Sequence, residues 1–446
     1  MLSYWRSLRT QWRWILIFFV PALLILSNVP HRGSKEGGQG QVSKLSEKVD
    51  FWGAILPIVT YDDSARTSFL LSVFSISIYW LGFIMFINYK EISSMKFLIA
   101  TFFGSIGAVF CLQNLRDAFL LSFSLLGLGL LEKYSESTRL FSKFVFIVPL
   151  IFAVTFKYPT AIAITLLVFL RFYSKASPLS YRKTSLALFS SGLVILAGVI
   201  LDQSLTRAVS LKQGFVEQSV MYYDLASFYC WSEDKNTRQN ALEALRPSLV
   251  TDELGTICLT HRPNAWVYLL SGGNFKEEGV VAPLKLLSGD DDAEEANLLR
   301  KGWVRTIFSD PIDYLQIKLI AATQILTVGN PFLFAENSLA GQSHPKDLNS
   351  YLWLPIAFFL IIIGKSYLFS VFAPITLFMA LLITDKLKFW IRSWIVSLFM
   401  VHMLNLMLLS IFYVSDEARY VFPLVTLTYL LLVIDYQYPR IQKVHT

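Results

Sequence analysis

Apolar stretches of membrane length recur along almost the whole chain, and a single polar segment of roughly a hundred residues interrupts them. That pattern leaves little choice of fold. A span needs about 20 apolar residues, fewer where helices are short or tilted. On that criterion spans are expected near 14–29, 68–88, 97–113, 117–131, 144–156, 159–172, 185–201, 314–329, 351–364, 366–384, 389–413 and 420–435. The expected fold is an all-α polytopic membrane protein of about 12 transmembrane helices (10–13), with one mainly helical extracytoplasmic insert. Its parts are an N-terminal bundle over 1–201, the insert over 202–312 and a C-terminal bundle over 313–446.

Composition agrees. Hydrophobic residues make up 54%, mean hydropathy is +0.51 and charged residues are 16%, where a soluble chain carries about a quarter. The net charge of +7 comes mainly from Lys and Arg beside the span ends. In a membrane chain this points to orientation and anionic headgroups rather than to nucleic acid. The N-terminal run MLSYWRSLRTQWRWILIFFVPALLIL resembles a signal peptide but has no small-residue cleavage site, so it reads as an uncleaved first span.

Orientation follows from the cations. Arg6, Arg9 and Arg13 precede the first span; Lys90 and Lys96, then Lys133, Arg139 and Lys143, then Arg171, Lys175, Arg182 and Lys183 fall in alternate loops. Lys386, Lys388, Arg440 and Lys443 continue the series. With twelve spans all lie on one side, which the positive-inside rule makes cytoplasmic. Both termini are then inside and the insert is outside, as in a bacterial cytoplasmic membrane. Cys230 and Cys258 both lie in the insert, where export permits a disulfide; the alternative is two unrelated buried thiols. Cys111, in an apolar run, reads as a small core residue.

Within the insert, SVMYYDLASFYCW reads as a helix packed at the membrane surface, and TRQNALEALRPSL as an amphipathic helix ended by Pro247. SGDDDAEEANLLRKGWVRTIFSD reads as a helix with acidic residues in its first turn and basic residues in its last. Asp290, Asp291 and Asp292 read as its capping cluster rather than as metal ligands. No Cys/His spacing fits zinc.

The candidate chemistry lies at the outer ends of the spans. Asp62 and Asp63 precede the second span, with Arg66 one helical turn on. An arginine at that spacing holds a carboxylate ionised, and such a carboxylate can take a proton from a hydroxyl as a general base. The same pair also suits a helix N-cap, and the residues alone do not separate the two readings. Arg116 falls in the outer turn between the third and fourth spans, and Arg419 and Tyr420 open the last one. Arg305 and Lys318 flank the entry to the segment after the insert. Arginine forks suit a phosphate; interfacial snorkelling is the plainer role for each alone.

These motifs resemble the GT-C superfamily of integral membrane glycosyltransferases, which use polyprenyl-phosphate sugars. YDDSAR is similar to the acidic motif that those enzymes place after their first span. CLQNLRDAFLLS resembles a segment of serotype-converting O-antigen glucosyltransferases. The Trp303–Leu319 stretch, with its Asp-Pro-x-x-Tyr-Leu, and the Arg419–Tyr420 pair are similar to entries into membrane helices there. The insert lies mid-chain, whereas many members carry their soluble domain at the C-terminus. The resemblance implies an inverting transferase with Asp63 or Asp62 as base, and the donor phosphate among Arg66, Arg116, Arg419 and Tyr420. Its partners would be a polyprenyl-phosphate sugar, a glycan or lipid acceptor of the cell envelope, and membrane lipids. No cofactor is assigned; some members use a divalent metal, but no ligand is marked here. No Gly-rich nucleotide fingerprint is present. Two other classes fit less closely. A polysaccharide polymerase or ligase would lean on His261 and Arg262 in the insert. A transporter should carry ionisable residues inside its spans, where His402 is almost alone.

Overall fold

The computed structural model describes residues 65–88, 94–111, 116–135, 137–175, 179–208, 218–250, 255–261, 283–285, 292–327, 348–365, 389–412 and 420–435, with a few single positions between them. These residues are helical apart from their connections and one isolated bridge, Leu249 to Leu284. Asp62, Asp63 and Arg419 lie outside the described residues, as do all of the first expected span but Pro21 and most of the one at 366–384. For Arg66 and Arg116 the helical placement of the backbone is described.

The N-terminal helices are α1 (Ala65–Asn88), α2 (Ser94–Cys111), α3 (Arg116–Tyr134), the short α4 (Leu140–Phe144), α5 (Ile147–Phe156), α6 (Tyr158–Ser174) and α7 (Tyr181–Ala208). After the insert come α12 (Pro311–Thr327), α13 (Leu348–Lys365), α14 (Phe389–Phe412) and α15 (Phe422–Asp435). Most ends lie within a few residues of the expected spans, because the apolar runs stop where the helices stop. Among the described residues one helix, Tyr181–Leu205, is long and apolar enough by itself to cross a membrane; shorter apolar stretches of 10–17 residues include Val73–Ile87, Tyr158–Ser174 and Val396–Ile411.

Side-chain pairs set the directions. Helices α1 and α3 run parallel, since Ser75 Oγ lies 3.0 Å from Ser122 Oγ and Gly82 faces Leu126 and Gly129 further along. A Cβ on Gly129 would stand 2.3 Å from the Gly82 carbonyl oxygen, so two glycines bring these backbones together. Helices α3 and α5 are antiparallel, with Phe119 stacked on Phe156 at 5.3 Å and Phe123 near Phe152 at 5.7 Å. Helix α15 is antiparallel to α2 through Phe103–Tyr429 and Phe110–Phe422, both at 4.4 Å. Tyr158 hydrogen-bonds Asp202, and Tyr173 lies 3.0 Å from Ser190, which makes α6 and α7 antiparallel. The starts of α1, α3, α6 and α15 and the ends of α2, α5 and α7 therefore share one end of the bundle. Cys111 is buried there, accepting from Ser122 at 3.2 Å.

The insert has its own core. Its helices are α8 (Gln218–Trp231), α9 (Lys235–Leu245), α10 (Gly255–Thr260) and α11 (Ala293–Ser309). Asp234 caps α9, accepting from Thr237 N at 2.7 Å. Helix α8 is this core rather than a membrane-surface helix: Tyr222, Tyr223, Leu225 and Phe228 are buried among Leu245, Ile257 and Leu299. Its apolar face has a protein partner, and the pattern alone could not tell that from a lipid one. The same core takes in Ile317 and Ala321 of α12, beyond the boundary expected at 312. Helix α11 carries Glu294 and Glu295 in its first turn, but its last turn holds no basic residue. It runs to Ser309, which leaves Arg300, Lys301 and Arg305 in its middle. The Asp292 side chain makes no capping hydrogen bond; its carbonyl accepts from Ala296 N at 2.9 Å. Asp310 breaks the rod, and its Oδ1 caps α12 by accepting from Asp313 N at 3.0 Å.

Candidate functional site

The shared end of the bundle holds a buried polar cluster. Lys157 joins α5 to α6, and its Nζ lies 2.9 Å from Oδ1 of Asp117 in the first turn of α3. The same ammonium sits over the Tyr420 ring, 3.0 Å from its centre. Thr160 Oγ1 donates to the Tyr420 carbonyl at 3.1 Å, and beside it Tyr158 donates to Asp202. Asp117, Lys157, Asp202 and Tyr420 are all buried. Charge survives at such depth only where it is paired and hydrogen-bonded, and the short joint between α5 and α6 leaves Lys157 no room to turn outward.

This cluster contains one predicted residue, Tyr420, and adjoins another: Arg116 precedes Asp117 and opens α3. Since Ser75 pairs with Ser122 on parallel helices, the start of α1, which carries Arg66, lies at the same end. The backbone thus gathers the elements bearing Arg66, Arg116 and Tyr420. The reading missed Asp117, Lys157, Tyr158 and Asp202. Lys157 was legible only as a break between two spans, although a lysine between apolar runs with no loop to carry it signals a buried anion.

A second buried pair ties the insert to the bundle. Lys318 Nζ lies 2.7 Å from Asp224 Oδ1 and donates to the Ile411 carbonyl at 3.3 Å, while Trp303 Nε1 donates to Asp224 at 3.0 Å. Lys318 is therefore not a snorkelling side chain. Burial pushes the Asp224 carboxyl above the usual range; Lys318 and Trp303 pull it back without cancelling the shift. The cysteines of the insert, Cys230 and Cys258, are bonded, with Cα atoms 5.5 Å apart, and join α8 to α10. Beyond them His261 is buried, its Nε2 2.9 Å from Ser227 Oγ, between the rings of Tyr223 and Trp231.

The opposite end of the bundle carries a further charge cluster. Glu132 on α3 is buried between Arg171 Nε at 2.9 Å and Lys175 Nζ at 3.0 Å. Among the described residues no group of three His, Cys, Asp or Glu could hold a metal ion. Compared with protein-family profiles, curated proteins and solved structures, the chain matches none.

Proposed function

We propose that the chain is a polytopic membrane glycosyltransferase that moves a sugar from a polyprenyl-phosphate donor to a cell-envelope glycan or lipid on the outer face of a bacterial cytoplasmic membrane. The observation that supports this best is the meeting of α3 and α15 around Lys157. It brings the chain positions of Arg116 and Tyr420 to the end of the bundle where α1 begins just after Asp62 and Asp63. The membrane part of the reading is supported by the outward helix faces. Phe74, Leu81, Phe102, Phe189, Phe358 and Met400 are exposed large apolar side chains on bundle helices, which a water-soluble surface rarely gathers. The insert then stands outside, with both termini in the cytoplasm.

In this mechanism Asp63 or Asp62 accepts the proton of an acceptor hydroxyl, whose oxygen attacks the anomeric carbon with inversion. The bond from that carbon to the phosphate oxygen breaks, and its electron pair leaves with the lipid phosphate. Arg66, Arg116 and Arg419 stabilise the charge that develops there. A polymerase or ligase working through His261 has less support, because that ring is buried by Tyr223 and Trp231. The test is sugar transfer in membranes supplied with polyprenyl-phosphate sugar at matched expression. Asp62→Asn with Asp63→Asn should lower the rate about 10²–10⁴-fold, the usual loss for a missing base. Since Asn caps a helix as well as Asp does, near-normal transfer would return the pair to a capping role.

A further inference from the structure

We propose that the junction of α11 and α12 is a lipid-binding edge of the insert, with Phe308 and Ile312 in the outer acyl layer and Arg300, Lys301 and Arg305 among anionic headgroups. The proposal rests on the membrane reading above, not on the chemistry. Exposed apolar side chains flank the junction of the two helices. Phe308 is 80% exposed in the last turn of α11, and on α12 Ile312 is 66%, Leu315 63% and Leu319 64% exposed, at helical spacings of three and four. The exposed cations lie only on the side of Phe308 away from α12, and no acidic residue falls between Glu295 and Asp310. The other face of α11 is already used, since Ala296, Leu299 and Thr306 are buried against the insert. Asp310 and Asp313 at the joint are half-buried, and Asp310 caps α12; the exposed cations stand above the exposed apolar side chains of α12, the profile of a chain entering a bilayer interface.

Position strengthens this. Lys318 meets Ile411 in the last turn of α14, and Ile325 packs with Leu406 and Leu409, so α12 and α14 are antiparallel. The part of α12 before Lys318, with Leu315 and Ile312, therefore lies beyond the described part of α14. Continuity with the outward apolar faces of the bundle favours lipid as the occupant. A two-fold contact with a second copy would bring the same three cations together, which opposes it.

The test uses the full chain in nanodiscs of phosphatidylcholine and phosphatidylglycerol. Cys111 is buried and the other two cysteines are bonded, so an added thiol is the one that reacts. Leu298→Cys, Phe308→Cys and Ile312→Cys would each carry a fluorophore. Labels at 308 and 312 should be quenched several-fold more by acyl-chain spin-labelled lipid than by an aqueous quencher, and the label at 298 the reverse. Replacing Arg300, Lys301 and Arg305 with Gln should weaken quenching at 308 in phosphatidylglycerol discs and not in pure phosphatidylcholine. Equal aqueous access at 298 and 308, or a disulfide-linked dimer through Phe308→Cys, would overturn the proposal. Neither readout depends on sugar transfer, so failure here leaves the catalytic reading standing, and the converse also holds.

Discussion

The ammonium of Lys157 and the ring of Tyr420 stand face to face, 3.0 Å from nitrogen to ring centre, although the residues are far apart in sequence. The contact joins the start of α15 to the α5–α6 junction, and Asp117 completes it from α3. Tyr420→Phe keeps the ring over the ammonium and should cost less stability than Tyr420→Leu. Tyr420→Leu forfeits the cation–π term, about 1–2 kcal/mol at a desolvated site. Lys157→Met strips the buried Asp117 of its nearby cation and should cost about 3–5 kcal/mol, with part recovered when Asp117→Asn is added. Unfolding of the purified protein in detergent would measure all four.

Glycine packing between α1 and α3 gives a sharper contrast. Gly129→Ala directs a methyl at the Gly82 carbonyl oxygen, 2.3 Å away, so the helices must part; about 1–3 kcal/mol should be lost. Gly192→Ala on α7 has nothing within 4 Å and should be neutral or stabilise by up to about 1 kcal/mol through helix propensity. Equal melting temperatures for the two variants would refute the close approach.

The insert contains two carboxyls that respond oppositely to pH. Burial raises Asp224 above 3.8, so its contribution is complete below 3.8 and is lost as pH rises through the folded value. The hydrogen bonds that Thr237 donates lower Asp234, so its contribution is present above 3.8 and is lost as pH falls through its lower folded value. Hydrogen exchange in α8 should therefore quicken with rising pH beyond the intrinsic rate, and Asp224→Asn should flatten that dependence. Exchange in the first turn of α9 should quicken relative to the intrinsic rate under acid.

Cys230→Ser should weaken the insert by about 3–4 kcal/mol in the loop-entropy picture, for a separation of 28 residues. Cys258→Ser should match it, and the double variant should cost no more than either. Non-reducing mass mapping of the native protein should recover the linked peptides.

Topology is testable separately. A reporter that is active only outside the cytoplasm, fused near Asp290, should be active, and one near Lys386 inactive. The opposite pattern would turn the chain over and remove the proposed site from the outer face.

Helix positions were legible because hydrophobic runs and their charged stops are local signals. The pairing of charges was not, because it depends on which helix ends meet. Lys318 and Arg305 looked alike in sequence; the fold buries one against Asp224 and leaves the other exposed. Asp224, in the aromatic run MYYDLASFY, did carry a signal, since an acid inside an apolar helix needs a partner. In sequence Arg171 and Lys175 read as loop cations on the cytoplasmic side; Arg171 lies in the last turn of α6, and Glu132 takes both. The apolar face of α8 had a correct period and a misjudged occupant, which periodicity never names.

Helix α3 is riveted at both ends to the same neighbour. Asp117 holds Lys157 at the head of α6, and Glu132 holds Arg171 near its foot. A slip of one residue between them would strand charges at two depths together, so this pair behaves as a stator. Any rearrangement of the bundle, including one that the proposed transfer reaction would need, must move against it. Stacked rings, such as those of Phe103 and Phe110 on α2 against α15, resist sliding less than these ion pairs do.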